Sequence, residues 1–130
     1  MRGGRASRPR RPAPASDRAA ELAAALRACD ERKAVGGVVL DLHGLSDATD
    51  QFVIVSGTSD THVRAIAEHV METLRLLGVR THHVEGLAAG RWVLLDYVDF
   101  VVHVFHPALR EFYQLERLWG DAPRRPLEGS

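Results

Sequence analysis

The segment from Gln51 to Leu77 constrains the fold of this 130-residue chain more than any other. Phe52-Val53-Ile54-Val55 is an unbroken apolar run. A half-exposed strand would alternate apolar and polar residues, so this run predicts a strand buried on both faces, inside a sheet covered by helices. Ser56-Gly57-Thr58-Ser59 then turns the chain, and Ser59 is placed to cap a helix. Val63, Ile66, Ala67, Val70, Leu74 and Leu77 recur along one helical stripe, and Gly78 supplies a stop. With a further strand over Arg80–Glu85, this makes a strand–helix–strand crossover, which predicts that its two strands run parallel.

The flanking segments complete the domain. Ser16 is placed to cap a first helix, with Asp17 in its first turn; Ala19, Leu22, Leu26 and Cys29 carry a thin apolar stripe to about Arg32. Gly36-Gly37 breaks that pattern, and Val38 to Leu42 reads as a strand. Arg91–Asp96 and Phe100–Phe105 are apolar strands joined by Tyr97-Val98-Asp99, close enough for a hairpin. Pro107 can open a last helix, which carries Leu109, Phe112, Tyr113 and Leu115 onward to about Trp119. The order α-β-β-α-β-β-β-α predicts a single mixed α/β domain over residues 16–123, a five-stranded mixed sheet flanked by helices. Residues 1–15 read as a disordered Arg- and Pro-rich basic extension, and residues 124–130 as a frayed tail.

Charge and cysteine content narrow the function. Seventeen basic and seventeen acidic residues cancel, which excludes a chain basic throughout that grips nucleic acid by neutralising phosphates. The balance conceals an asymmetry, because Arg2, Arg5, Arg8, Arg10 and Arg11 all precede the domain. Residues 17–130 retain 12 basic against 17 acidic groups, a net of −5. A mildly acidic domain suits basic partners. The lone Cys29 can form no intrachain disulfide, and no Cys/His spacing marks a zinc site. No run of eighteen apolar residues encodes a membrane helix. The Arg-rich, acid-free N-terminus has the composition of an organelle address, but Pro9, Pro12 and Pro14 oppose the amphipathic helix that such an address uses.

Catalytic patterns do not assemble. His82 and His83 are adjacent on a strand and must face opposite ways, and His103 and His106 are three positions apart. No G-x-S-x-G elbow frames a serine, and Cys29 sits in an alanine-rich helix as a small core residue. The Ser56–Ser59 turn has the layout of a nucleotidyltransferase, where a Gly-Ser turn opens a helix and paired carboxylates on the next strand hold magnesium. That strand offers Glu85 alone, with His83 two positions earlier. The expectation is a scaffold of nucleotidyltransferase-like topology without the catalytic carboxylates, no metal and no cofactor. A nucleotide-binding or nucleotidyltransferase-like enzyme is the alternative. Trp92, Tyr97, Phe112, Tyr113 and Trp119 gather near strand ends and suit an interface. Trp92, Leu94 and Asp96 share one face of their strand, and Val93, Leu95 and Tyr97 the other; either face can be the core face.

Several long motifs agree at once with one family. Val39-Leu40-Asp41, Gly44-Leu45-Ser46, Thr49-Asp50 and Ser56-Gly57-Thr58-Ser59 belong to this set. So do Val84-Glu85-Gly86, Arg91-Trp92-Val93-Leu94-Leu95-Asp96-Tyr97, and Val101-Val102-His103-Val104-Phe105-His106-Pro107. Together with the stretch from Arg110 to Pro123, the chain over about residues 17–123 resembles the ribosomal silencing factor (Iojap-like) family. The resemblance implies a non-enzymatic translational repressor that binds the large ribosomal subunit through its ribosomal protein number fourteen. Bound there, it would block joining of the small subunit and damp translation when nutrients are short, with a possible role in large-subunit assembly. It implies a possible homodimer in the bacterial cytoplasm, with mitochondrion or plastid as the alternative address. Carried over by motif, the partner-binding residues are Trp92, Leu94, Leu95, Asp96, Tyr97 and Asp99, with Trp92 and Tyr97 as anchors and the two acids facing basic groups. Family members often carry glycine at the third place of the Asp-Tyr-x-Asp turn. Here it is Val98, whose branched Cβ disfavours positive φ. The basic tail lies outside the resemblance, and its charge alone suggests weak contact with ribosomal RNA.

Overall fold

The computed structural model describes residues 15–109 and 123–127. Its elements are α1 (Ala15–Glu31), β1 (Val35–Asp41), β2 (Gln51–Ser56), α2 (Asp60–Leu76), β3 (His83–Glu85), β4 (Trp92–Asp96), β5 (Phe100–Phe105) and β6 (Arg124–Pro126). Helical backbone resumes at residues 107–109; the remainder of the expected last helix and the N-terminal extension lie outside the described residues. The strands form one mixed sheet in the order β3-β4-β5-β2-β1-β6. Among the described strands only β2 and β5 pair in parallel, and the other pairings are antiparallel.

Three expectations are corrected. The sheet has six strands, because Arg124–Pro126 pairs with Val38–Leu40 where a frayed tail was expected. Leu127, 2% exposed, anchors that last strand in the core. The Gly36-Gly37 pair does not precede β1 but lies within it, where the register shifts between Val35 and Val38. The crossover strand β3 is shorter than Arg80–Glu85 and sits at the sheet edge. Two antiparallel pairings, to β4 and through it to β5, leave it running in the direction of β2 but not beside it. The reason is chemical: the slot beside β2 is buried on both faces, which suits the apolar β5 and not a three-residue strand bearing His83 and Glu85.

Both described helices cover the same face of the sheet. Val53 and Val55 of β2, Val102 and Val104 of β5, and Val93 and Leu95 of β4 share a core with Val63, Ile66, Val70 and Leu74 of α2. Helix α1 packs against α2, and its alanines allow close approach: Ala24, Ala25, Ala28 and Cys29 are all buried. His62 ties the helices together. Its Nδ1 accepts from the Thr58 backbone N–H (2.8 Å), and its Nε2–H donates to the Arg32 carbonyl (2.6 Å). Ser59 caps α2 by accepting from the His62 backbone N–H (3.0 Å).

Gly86 makes the β3–β4 connection possible. It has φ +80, and a Cβ there would lie 2.0 Å from the Trp92 carbonyl oxygen, a backbone atom that cannot swing away. Gly86→Ala should therefore lower unfolding stability by at least about 2 kcal/mol and disturb β4, measured by denaturant titration and tryptophan emission.

Candidate partner-binding face

Pairing register decides which side of β4 meets the helices. Trp92 opposes Phe105, Leu94 opposes His103, and Asp96 opposes Val101, so these six side chains share one face. Val93, Leu95 and Tyr97 lie on the other, beneath α2 and α1. Leu95 and Tyr97 are 0% exposed, so the structure removes both from any contact surface and makes them core residues. Trp92, Leu94 and Asp96 are half-buried on the face that α1 and α2 leave uncovered. Asp99 is separated from them. It is half-buried at the hairpin turn and lines a cleft of about 690 Å³ with Leu22 and Leu26 of α1 and with Asp50. Of the residues expected to meet a partner, the structure brings together Trp92, Leu94 and Asp96.

Aromatic packing fixes this face. The Trp92 ring stacks on Phe105 with centroids 4.9 Å apart, and Phe52 meets His103 edge-on at 4.6 Å. The Trp92 indole Nε1–H donates to His103 Nδ1 at 3.1 Å. His103 and Phe52 were not expected in this surface. The available signal was that His103 is the one polar residue in the otherwise apolar Phe100–Phe105 run, and a polar side chain in such a run needs a partner. His103 is only 4% exposed, and burial pushes its imidazole from an ordinary 6.5 down to about 4. It is neutral near pH 7, with Nδ1 the acceptor and the proton on Nε2. The unfolded chain takes up a proton near 6.5 that the folded state refuses until about 4, so His103 makes stability rise with pH across that window.

The residues of the nucleotidyltransferase-like layout are engaged in structural contacts. A Cβ on Gly57 would lie 2.8 Å from the Val63 backbone nitrogen, so glycine here serves the tight strand–helix turn. Glu85 is engaged by His83 Nε2 at 2.7 Å. Asp60, at the start of α2, lies 3.8 Å from His106 and 4.0 Å from Arg91. Among the described residues no group of three or more His, Cys, Asp or Glu side chains is placed to hold a metal ion. Cys29 is buried, and its thiol is pushed up to about 12, chiefly by burial and further by Asp30, so it stays protonated and unreactive.

The turn after β4 is strained. Val98 has φ +74, and the Asp99 N–H donates to the Tyr97 carbonyl at 2.9 Å, closing a three-residue γ-turn. Asp96 braces it, with Oδ1 accepting from the Val98 N–H at 2.8 Å. The Asp99 carbonyl is held from outside by the Asp50 N–H at 3.1 Å. The turn thus keeps the positive φ that glycine would adopt freely, at the expense of a crowded branched side chain. Val98→Gly should raise unfolding stability by about 1 kcal/mol, and a denaturant titration that finds a loss would contradict this account of the turn.

Comparison with known proteins agrees with this architecture. The family model described as "Ribosomal silencing factor during starvation" matches residues 15–130. Ribosomal silencing factor RsfS of Bacillus subtilis is 43% identical over 107 residues, covering 82% of this chain and 91% of its own length. A crystal structure of a Chromobacterium violaceum protein superposes with a TM-score of 0.76 at 34% identity, over 78% of this chain and 85% of that one. The mouse protein "Mitochondrial assembly of ribosomal large subunit protein 1" is 38% identical over 74 residues, 55% of this chain but 32% of its own. These names describe silencing and assembly of ribosomes, not a catalysed reaction. With most of the chain matched in sequence and its fold shared with a solved relative, this protein belongs to the ribosomal silencing factor family.

Proposed function

We propose that this chain represses translation by binding the large ribosomal subunit through its ribosomal protein number fourteen and blocking access of the small subunit. The observation that carries the reading is the half-buried surface of Trp92, Leu94 and Asp96, on the sheet face that α1 and α2 leave uncovered, in a chain of this family. Occlusion needs no chemistry, only a stable face that fits its target. Trp92 supplies a large anchor, Leu94 apolar area, and Asp96 a carboxylate already oriented by the Val98 N–H. Residues 17–130 carry a net charge of −5, which favours a basic protein over bare RNA as the principal contact. The word "starvation" in the family description supports action under nutrient limitation, and the name of the mouse relative supports an additional part in large-subunit assembly. The functional species is a bacterial cytoplasmic protein, able to form a homodimer. Leu95 and Tyr97 support the surface from beneath, and Asp99 contributes through the turn.

Co-sedimentation with purified large subunits tests the proposal. Trp92→Ala should weaken binding by about 2 kcal/mol or more, and should restore subunit joining in a light-scattering assay, while circular dichroism stays native. Leu95→Ala should act instead through stability, costing about 2–5 kcal/mol of unfolding free energy. Failure of the wild-type chain to co-sediment would end the ribosomal reading. The basic tail adds a weak contact with ribosomal RNA: deleting residues 1–15 should flatten the salt dependence of binding, and an unchanged salt slope would exclude that contact.

A further inference from the structure

We propose that His103 is a positioning residue for the docking face, setting the orientation in which Trp92 meets the large subunit. This inference rests on the docking reading above and assigns a role that reading does not contain. His103 has three structural properties that fit it for this work. It sits on a central strand, paired on one side with Leu94 of β4 and on the other with Ile54 of β2, so its backbone cannot shift. Its ring is held edge-on by Phe52 and lies alongside Phe105 at 6.1 Å, which fixes the side chain. Its Nδ1 receives the indole N–H of Trp92 at 3.1 Å.

The hydrogen bond and the Phe105 stack act on different degrees of freedom. Stacking holds the plane of the indole, but an indole can turn over within a stack and keep most of its contact area. A single acceptor beside Nε1 removes that freedom, because only one of the two orientations makes the bond. The acceptor is also unusual in its cost. With Nδ1 accepting, Nε2 carries the proton, and Nε2 is buried without a hydrogen-bond partner among the described residues. Phenylalanine would fill the same place between Phe52 and Phe105 with no unmet polar atom. A polar ring retained at that cost has one evident product in the structure, the oriented indole. Fixing it before binding spares the complex the ordering of a large side chain.

The test separates this role from simple folding. His103→Phe keeps an aromatic ring and removes the acceptor, whereas His103→Asn places Oδ1 where Nδ1 stood and restores it. In a Trp119→Phe background Trp92 is the sole tryptophan, so its indole N–H gives one NMR resonance. In the isolated protein that proton should exchange rapidly with solvent in His103→Phe and remain protected in His103→Asn. Large-subunit binding should weaken about five- to tenfold in His103→Phe, within the span expected for one side chain that must be ordered on binding, and about twofold or less in His103→Asn. In a Trp92→Phe background, which lacks the indole N–H that His103 accepts, His103→Phe should cause no further loss. Wild-type affinity in His103→Phe would overturn the positioning role while leaving the docking reading intact. So would a folded His103→Asn that protects the indole proton yet binds as poorly as His103→Phe. Failure of the wild-type chain to bind large subunits would overturn the docking reading, and this role with it.

Discussion

The parallel pairing of β2 with β5 is the constraint from which the rest of the molecule follows. Six consecutive residue pairs, from Gln51–Phe100 to Ser56–Phe105, join two strands that are apolar on both sides. Parallel neighbours cannot be joined by a tight turn, so the chain must travel through α2, β3 and β4 before β5 can take its place. Register is equally strict. Side chains alternate along β4, so a slip of one residue against β5 would drive Trp92, Leu94 and Asp96 under the helices and turn Val93, Leu95 and Tyr97 outward. That exchange would bury a carboxylate and expose a full core layer, which makes the observed register the only affordable one.

Helix placement then gives the sheet two unlike faces. Helices α1 and α2 pack on each other and on one face, tied together by His62 and by the His69–Glu31 contact at 2.7 Å. The other face carries a smaller apolar cluster around Leu40, Ile54 and Phe105, with Leu109 from the start of the following helical segment packed against it. Towards β3 and β4 this second face becomes half-exposed and acidic. A face of this composition, rigid in its backbone and mixed in its chemistry, suits recognition of another macromolecule better than enclosure of a small substrate.

Rigidity is concentrated at the turn after β4 and at Trp92. The Asp96–Asp99 turn is held by its own hydrogen bonds, by the Asp50 N–H, and by the His82 N–H donating to the Asp96 carbonyl at 2.7 Å. These contacts over-determine a backbone conformation that Val98 resists, which is how a strained residue persists in a stable fold. The indole of Trp92 is similarly constrained by Phe105 and His103. Docking of the kind proposed gains from both arrangements, because ordering lost before association need not be lost during it.

Much of this was legible in the residues themselves. The apolar run of β2, the stripe and cap of α2 and the β4–β5 hairpin follow from local periodicity, and local periodicity is set by side chains a few positions apart. The motifs carried enough information to place the chain in its family. Other features depended on contacts distant in sequence. Arg124–Pro126 has no strand signature and becomes β6 only because β1 offers an edge beside a site that buries Leu127. The edge position of β3 reflects competition with β5 for the slot next to β2. On β4 both faces are apolar enough to be buried, so alternation divided Trp92, Leu94 and Asp96 from Leu95 and Tyr97, but which set became core was decided only by α2 settling on one side. The partnership of Trp92 with His103, eleven residues away, likewise exists only through the β4–β5 register. Sequence determined which segments form strands and helices, because that is decided by near neighbours; tertiary structure alone decided which face is core and which is surface, because that is decided by what packs on top.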